Sequence, residues 1–432
     1  MTTSHDASET RTGEQDPSTA APGAVGPDLE SVPDVGFNIS SDGVVTDVID
    51  PAEQSRQLAH RIARELMSIA PEGWHHVDAA FSLTVTGSLA HVVFHDDQQR
   101  QARISPPQEV LSLVAEHRGV AAQLGDGPWW RLLLSVTTTG ELTVDHDYGD
   151  EPFPDDQLFA PQDYLADLGA HPRAVLPTWL GAYVRHDNRQ SRTPKQAAVA
   201  ARADRESGVL PTLSQDDFPD LPLLWARWSA IAAAFVAVGS DWGPRALPSF
   251  GWFEGSRRSG SSLYLLPGGR AVLSGGVWDA PELSAAYNGR APLPQLYSGA
   301  PEWVANSVLN ARAAGGLLSF CYWWERGRWY RGESPAAADL AAAVPGIWTS
   351  TTVSDVIAGL VAEDPTPEQR TAIAEFVAAA ERGDITRALL AETFGPAAYL
   401  DEAHYQLTLA GLIRTDPDPL PESEVHSTSW TS

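Results

Sequence analysis

Disulfide chemistry is the first thing this chain lacks. A single cysteine, Cys321, stands among 432 residues, which excludes an internal disulfide framework; within its apolar run it reads as a small core hydrophobe. Positive charge is scarce as well, since 29 Lys and Arg against 56 Asp and Glu give a formal net charge of −27. That balance argues against sequence-independent binding to nucleic acid or to an anionic membrane, both of which need a basic face. Long apolar runs are missing, and residues 230–238 are far too short to cross a bilayer. The opening residues show no basic region followed by an apolar one, so a cytoplasmic protein is expected. There is also no G-x-S-x-G, no G-x-x-x-x-G-K-[ST], no H-E-x-x-H and no paired cysteine, so no residue set points to an enzyme, a metal or a cofactor.

Core material is plentiful. Fifteen Trp and 43% hydrophobic residues suit folded domains, and the length exceeds what one hydrophobic core usually organises. The sequence divides into an acidic tail over 1–50, a first domain over 51–190, a linker over 191–219 with room for a short helix at Gln196–Arg205, a second, Trp-rich domain over 220–365, helices over 366–415 and a Pro- and Ser-rich disordered tail over 416–432. Residues 1–35 hold too little apolar surface to offset chain entropy and are expected to be disordered, with one short strand within 36–49. The acid is unevenly shared: residues 1–50 and 51–190 each carry a net charge of −9, whereas 220–365 carries −2.

Periodicity supplies the elements. Leu58, Ile62, Leu66 and Ile69 fall at spacings of four, four and three, one apolar stripe on a helix that stops at Pro71. Alternating segments at 77–86 and 89–95 form a hairpin around Thr86-Gly87-Ser88, residues 102–104 add a strand, 108–124 a helix, and 132–137 with 141–147 a second hairpin. A helix near 164–168 and an apolar stretch over 176–184 complete the unit. The second domain offers a helix through Leu224–Phe235, strands near 250–253, 263–266 and 271–273, helices at 281–287 and 302–311, and a Trp-rich hairpin over 317–331. Further helices follow at 353–361, 366–380, 385–394 and 397–413. The expected class is α+β: two domains, each an antiparallel sheet with helices on one face, plus the C-terminal helices and the N-terminal tail. The order of elements repeats between the domains, which suggests an internal pseudo-duplication.

Between Leu132 and Pro172 there is no Lys or Arg, while Asp145, Asp147, Asp150, Glu151, Asp155, Asp156, Asp163 and Asp167 accumulate with Tyr148, Phe153, Phe159 and Tyr164 among them. A charge run is usually a solvated face. Interleaved aromatics tilt this one towards an interface, where rings supply contact energy and carboxylates select a basic partner. The expected contacts are Asp145, Asp147, Tyr148, Asp150, Glu151, Asp155 and Asp156. His91 and His95 share a strand face and His75-His76 lies nearby, but a metal needs ligands converging from several elements, so these read as sheet-face and turn histidines. The loop over 255–262, with two Arg among Gly and Ser, suits an anion yet needs none. Trp323, Trp324, Trp329 and Tyr330 read as core packing, with one of Trp323 and Trp324 facing outward unless a helix covers it.

The first domain resembles the YezG-like immunity proteins of bacterial polymorphic toxin systems. The resemblance rests on Leu66-Met67-Ser68-Ile69-Ala70-Pro71-Glu72-Gly73-Trp74, on Trp129-Trp130 before a strand, and on Thr139-Gly140-Glu141-Leu142 leading into Asp145-His146-Asp147-Tyr148-Gly149-Asp150. It covers about residues 51–185. It implies a small cytoplasmic α+β protein, without catalysis or cofactor, that binds and neutralises a cognate toxin, here expected to be a basic domain such as a nuclease or an NAD-consuming enzyme. The alternative is a non-catalytic regulatory or ligand-binding protein using the Trp-rich second domain.

Overall fold

A computed structural model describes residues 50–414 apart from Asp126, Gln215, 256–257 and 396–398. The expected disordered tail, the strand within 36–49 and the Pro- and Ser-rich end from Asp416 lie outside the described residues. The class is α+β, with two antiparallel sheets and helices packed on them.

Helix α1 (Pro51–Ser68) begins where the Asp50 carboxylate accepts the Ala52 N–H at 3.3 Å and Pro51 fills the first turn. Its stripe of Leu58, Ile62 and Leu66 is buried. Strands β1 (Trp74–Leu83), β2 (Ser88–Asp96) and β3 (Gln101–Arg103), helix α2 (Gln108–Ala121), then β4 (Arg131–Thr137) and β5 (Leu142–Asp147) follow. They form a sheet in the order β3-β2-β1-β4-β5. Alternation sends Val77, Ala79, Phe81, Leu132, Leu134 and Val136 against α1 and α2. Asp78, Ala80, Val93, Leu133 and Ser135 point the other way and stay partly exposed.

The β1–β2 turn differs from its expected position. The strands end at Leu83 and resume at Ser88, and the Thr84 N–H closes the turn on the Gly87 carbonyl at 2.9 Å. The centre therefore falls at Val85-Thr86, and His76 pairs with His95. In a hairpin centred on Gly87, His95 would have faced Ala79 on the core side, because an odd shift of register exchanges the faces.

Helices α3 (Pro161–Ala170) and α4 (Thr178–Arg185) enclose a second cluster of Trp130, Phe153, Tyr164, Leu176 and Trp179. The Asp167 carboxylate holds this corner. It takes two 2.8 Å bonds from Arg118 and further bonds from the Val85 N–H at 2.9 Å and the Trp130 indole at 3.0 Å.

Within the stretch read as a linker, the short helix expected at Gln196–Arg205 is α5 (Pro194–Glu206), with a Thr193–Gln196 capping box, and strand β6 (Thr212–Leu213) follows it. Helix α6 (Leu221–Ala237), strands β7 (Arg245–Leu247), β8 (Phe250–Glu254), β9 (Gly260–Leu266) and β10 (Arg270–Gly276), helix α7 (Pro281–Tyr287), and strands β11 (Phe320–Glu325) and β12 (Arg328–Arg331) come next. The second sheet runs β6-β12-β11-β10-β9-β8-β7. One face packs on α6, α8 (Ser350–Val361) and α9 (Pro367–Arg382), with α10 (Arg387–Phe394) and α11 (Leu400–Leu409) extending the same core. The other carries Val272, Cys321 and Trp323 against Ala197 of α5 and the irregular segment containing Tyr297, Val304 and Leu309. With both faces covered, Trp323, Trp324 and Trp329 are all buried.

Two expectations are corrected. In place of a helix over 302–311 there are two 3-10 turns, Glu302–Ala305 and Ala311–Ala313. Asn310 Nδ2 donates to the carbonyls of Val304 and Asn306 at 2.7 and 2.9 Å, and Asn306 Oδ1 accepts the Val308 N–H at 2.9 Å, so side chains claim groups that a helix would use. The repeated order of elements is also not a repeated fold. After its helix the first sheet's chain returns beside β1, the strand that opened the sheet, whereas the second returns beside β10, the strand it had just left.

The first sheet and the second belong to one compact unit beginning at Asp50. Arg185 Nη1 of α4 donates to the Tyr287 carbonyl of α7 at 2.6 Å, and the Gln190 amide bonds the backbone of Leu318 in both directions at 2.7 and 3.0 Å.

Candidate functional site

The partly exposed face of the first sheet is the place where chemistry-bearing side chains gather. A hollow of about 410 Å³ lies over β1, β2, β4 and β5, lined by Ala80, Val93 and Leu133 at its floor and by Asp78, His91, Arg103, Asp145 and Asp156 around it. The 3-10 turn Asp155–Gln157 closes one end. There His91 Nδ1 stands 3.4 Å from Asp156 Oδ2, and Arg131 Nε donates to Gln157 Oε1 at 2.9 Å.

At the far end of the hairpin, Asp78 Oδ2 lies 3.6 Å from His76 Nε2 and 3.5 Å from His95 Nε2. The two imidazoles are stacked, with centroids 4.3 Å apart and planes 8° from parallel. His76 and Asp78 share a face because they are two apart on β1, and the observed register brings His95 beside them from β2. Sequence reading missed this trio because it turns on the hairpin centre. The alternation of 77–86 and 89–95 was legible, but placing the turn at Val85-Thr86 was the signal needed.

The acid run separates into two groups. Asp145, Asp150, Glu151, Asp155 and Asp156 are exposed. Asp147 instead pairs with Arg131 at 2.6 Å and accepts the Gly149 N–H at 2.8 Å, and Asp163 accepts the Thr86 hydroxyl at 2.7 Å. With Asp167 on Arg118, these three carboxylates brace the fold. Arginine and hydroxyl partners for the run thus come from outside it in sequence.

The aromatic half of the expectation is altered more. Phe153 and Tyr164 are buried at 3% and 1% exposure, Phe159 is half-buried, and Tyr148 packs against the first core. Rings at 153 and 164 are core, and their spacing among acids reflects a chain that alternates between covering Trp130 and returning to solvent.

Asp150 and Glu151 face a different hollow, of about 600 Å³, which they line with Trp242, Glu254, Arg258 and Trp278. Glu151 comes within 4.0 Å of Arg258, whose guanidinium lies 5.8 Å from the Trp278 ring centre. Ser256 and Arg257 of the expected anion loop lie outside the described residues. The remaining loop arginine, Arg258, has these acidic and aromatic neighbours.

Beneath the sheet, His117 accepts the Trp129 indole N–H on Nδ1 at 3.1 Å, so its Nε2 carries the proton and donates to Ser55 Oγ at 2.9 Å. Burial, and secondly the neighbouring His146, push its pKa down to about 4. This histidine is a neutral structural bridge between α1, α2 and the segment leading into β4.

Compared with known proteins, the chain matches no family model and no curated protein.

Proposed function

We propose that this chain is a non-catalytic binding protein of the immunity type, which engages a basic toxin domain in the cytoplasm and blocks it. The observation that supports the reading is a set of exposed carboxylates on this side of the chain: Asp145 and Asp156 at the hollow of the uncovered sheet face with Asp155 beside them, and Asp150 with Glu151 at the second hollow. A domain that grips phosphate presents cationic groups at its mouth, and clustered acid draws such a surface in and orients it. Apolar contact would come from Ala80, Val93 and Leu133 on the sheet floor, since Phe153 and Tyr164 are committed to the core. The Trp-rich half contributes no stacking surface through Trp323, Trp324 or Trp329, all buried.

The test uses the polypeptide encoded directly beside this gene as the binding partner, with association followed by surface plasmon resonance. Combined Asp150→Lys and Asp155→Lys should slow association by about tenfold or more at low salt and flatten its dependence on ionic strength. Unchanged kinetics in the double variant would remove this surface from the interface; no binding of the wild-type chain to that polypeptide would remove the immunity reading.

A further inference from the structure

We propose that His76, Asp78 and His95 form a binding site for a divalent transition-metal ion of the zinc type. The site shares Asp78 with the rim of the docking hollow, but its histidines stand at the opposite end of the hairpin from Asp156, and the two tests change different residues, so the two readings fail independently.

The argument begins with donor chemistry. Two imidazoles and one carboxylate suit zinc, cobalt or ferrous iron, whereas calcium and magnesium prefer oxygen donors. Convergence comes next. The ligand atoms of the three residues all lie within 4.8 Å of one another, with 3.6 and 3.5 Å separating Asp78 Oδ2 from the two histidine nitrogens. Two donors about 2.0–2.1 Å from one tetrahedral ion stand about 3.3 Å apart, so the carboxylate is already near its bound distance from both rings. His95 Nδ1 is buried, which leaves Nε2 as the nitrogen available to an ion.

The ligands stand on paired strands of a sheet, β1 and β2, whose backbone hydrogen bonds fix their spacing. Rotation of the side chains supplies the adjustment from the unbound arrangement. Parallel rings cannot both direct their lone pairs at one point, so binding turns the imidazoles out of the stack about Cβ–Cγ, a soft torsion. Asp78 is more than half exposed, at 54% of its side chain, so the remaining coordination positions open to solvent. Three protein ligands with an open position is the arrangement of an accessible, exchangeable ion.

The experiment titrates the full chain with Co²⁺, read by its visible d–d absorption, and with Zn²⁺ by calorimetry. The expected result is one ion per chain, with affinity lowered at least about tenfold in each of His76→Ala, His95→Ala and Asp78→Asn, since even groups behind a metal's ligands change affinity 10- to 100-fold. His91→Ala, on the same sheet face but paired with Asp156, should leave the titration unchanged. Ring signals of His76 and His95 in NMR should shift together at one equivalent of Zn²⁺. An ion that fails to bind, or binds equally well to the wild type and the three ligand variants, overturns the proposal; so does equal loss in His91→Ala. Asp78→Asn is isosteric and partly exposed, so it tests the site even if a histidine variant folds poorly.

Discussion

Asp167 shows how much of this fold rests on one carboxylate. It is 1% exposed and receives bonds from a guanidinium, an indole and a backbone amide that come from α2, the segment just before β4 and the β1–β2 turn. Its removal leaves Arg118 buried without a counter-charge, so Asp167→Ala should cost about 3–5 kcal/mol, measurable as a shift of the urea midpoint. An unchanged midpoint would mean the network is not formed. His117 makes a second prediction at this scale. Its folded pKa, about 4, lies below the ordinary value of 6.5, so between those values the unfolded chain takes up a proton that the folded chain refuses. Stability from this residue is fully present above pH 6.5, falls as the pH drops towards 4 and levels off below, by about 3 kcal/mol in all. Burial lowers the pKa of His146 as well, so its contribution has the same sign. His117→Gln should flatten the stability profile between pH 6.5 and 4; an equally steep profile would assign the acid sensitivity elsewhere.

Elements were legible where local pattern and tertiary packing agree. The stripe of α1, both hairpins of the first sheet and the Ala-rich α9 could be read from spacing, because each buries the face its period defines. Three features could not. The hairpin centre was displaced by two Thr side chains that share the turn, with Thr84 Oγ1 accepting the Gly87 N–H at 3.0 Å. The false helix at 302–311 failed because asparagine side chains captured its backbone. The metal-capable trio was hidden by the first of these, since face membership follows register. Close approach of α4 to α7 is another tertiary fact without a sequence signature beyond Gly181 itself. A Cβ built there would stand 2.9 Å from Tyr287 Cβ, and Tyr287 is buried with its hydroxyl bonded to the Gly316 carbonyl at 2.6 Å. Neither side can yield without moving a helix, so Gly181→Ala should destabilise by about 1–3 kcal/mol. Calorimetry of that variant would show a lowered transition temperature; a wild-type value would place slack between the helices.

At the scale of the whole molecule, two sheets of different topology share one compact unit. The sequence suggested a linker over 191–219, and composition justified it: the net charge is zero and large apolar residues are few. What composition does not register is that small residues can dock closely. Ala197 and Ala201 of α5 are buried, Ala197 in the cluster on the second sheet's far side, and β6 adds two residues to that sheet's edge at β12. Upstream, the Gln190 amide and the Asn288 side chain bond backbone groups across the boundary, to Leu318 and to Leu176. Leaving those buried backbone groups unpaired costs more than each bond is worth when formed. Opening the boundary would also uncover Ala182, Leu283 and Tyr287 together. Unfolding of either sheet therefore exposes the other's covered surface, and the two should melt as one. Differential scanning calorimetry of residues 50–414 should give a single transition whose calorimetric and van't Hoff enthalpies agree. In Gln190→Ala the same single transition should move to lower temperature. Two resolved transitions in the wild type, or a variant that lowers only one of them, would instead make the halves independent domains joined by a tether.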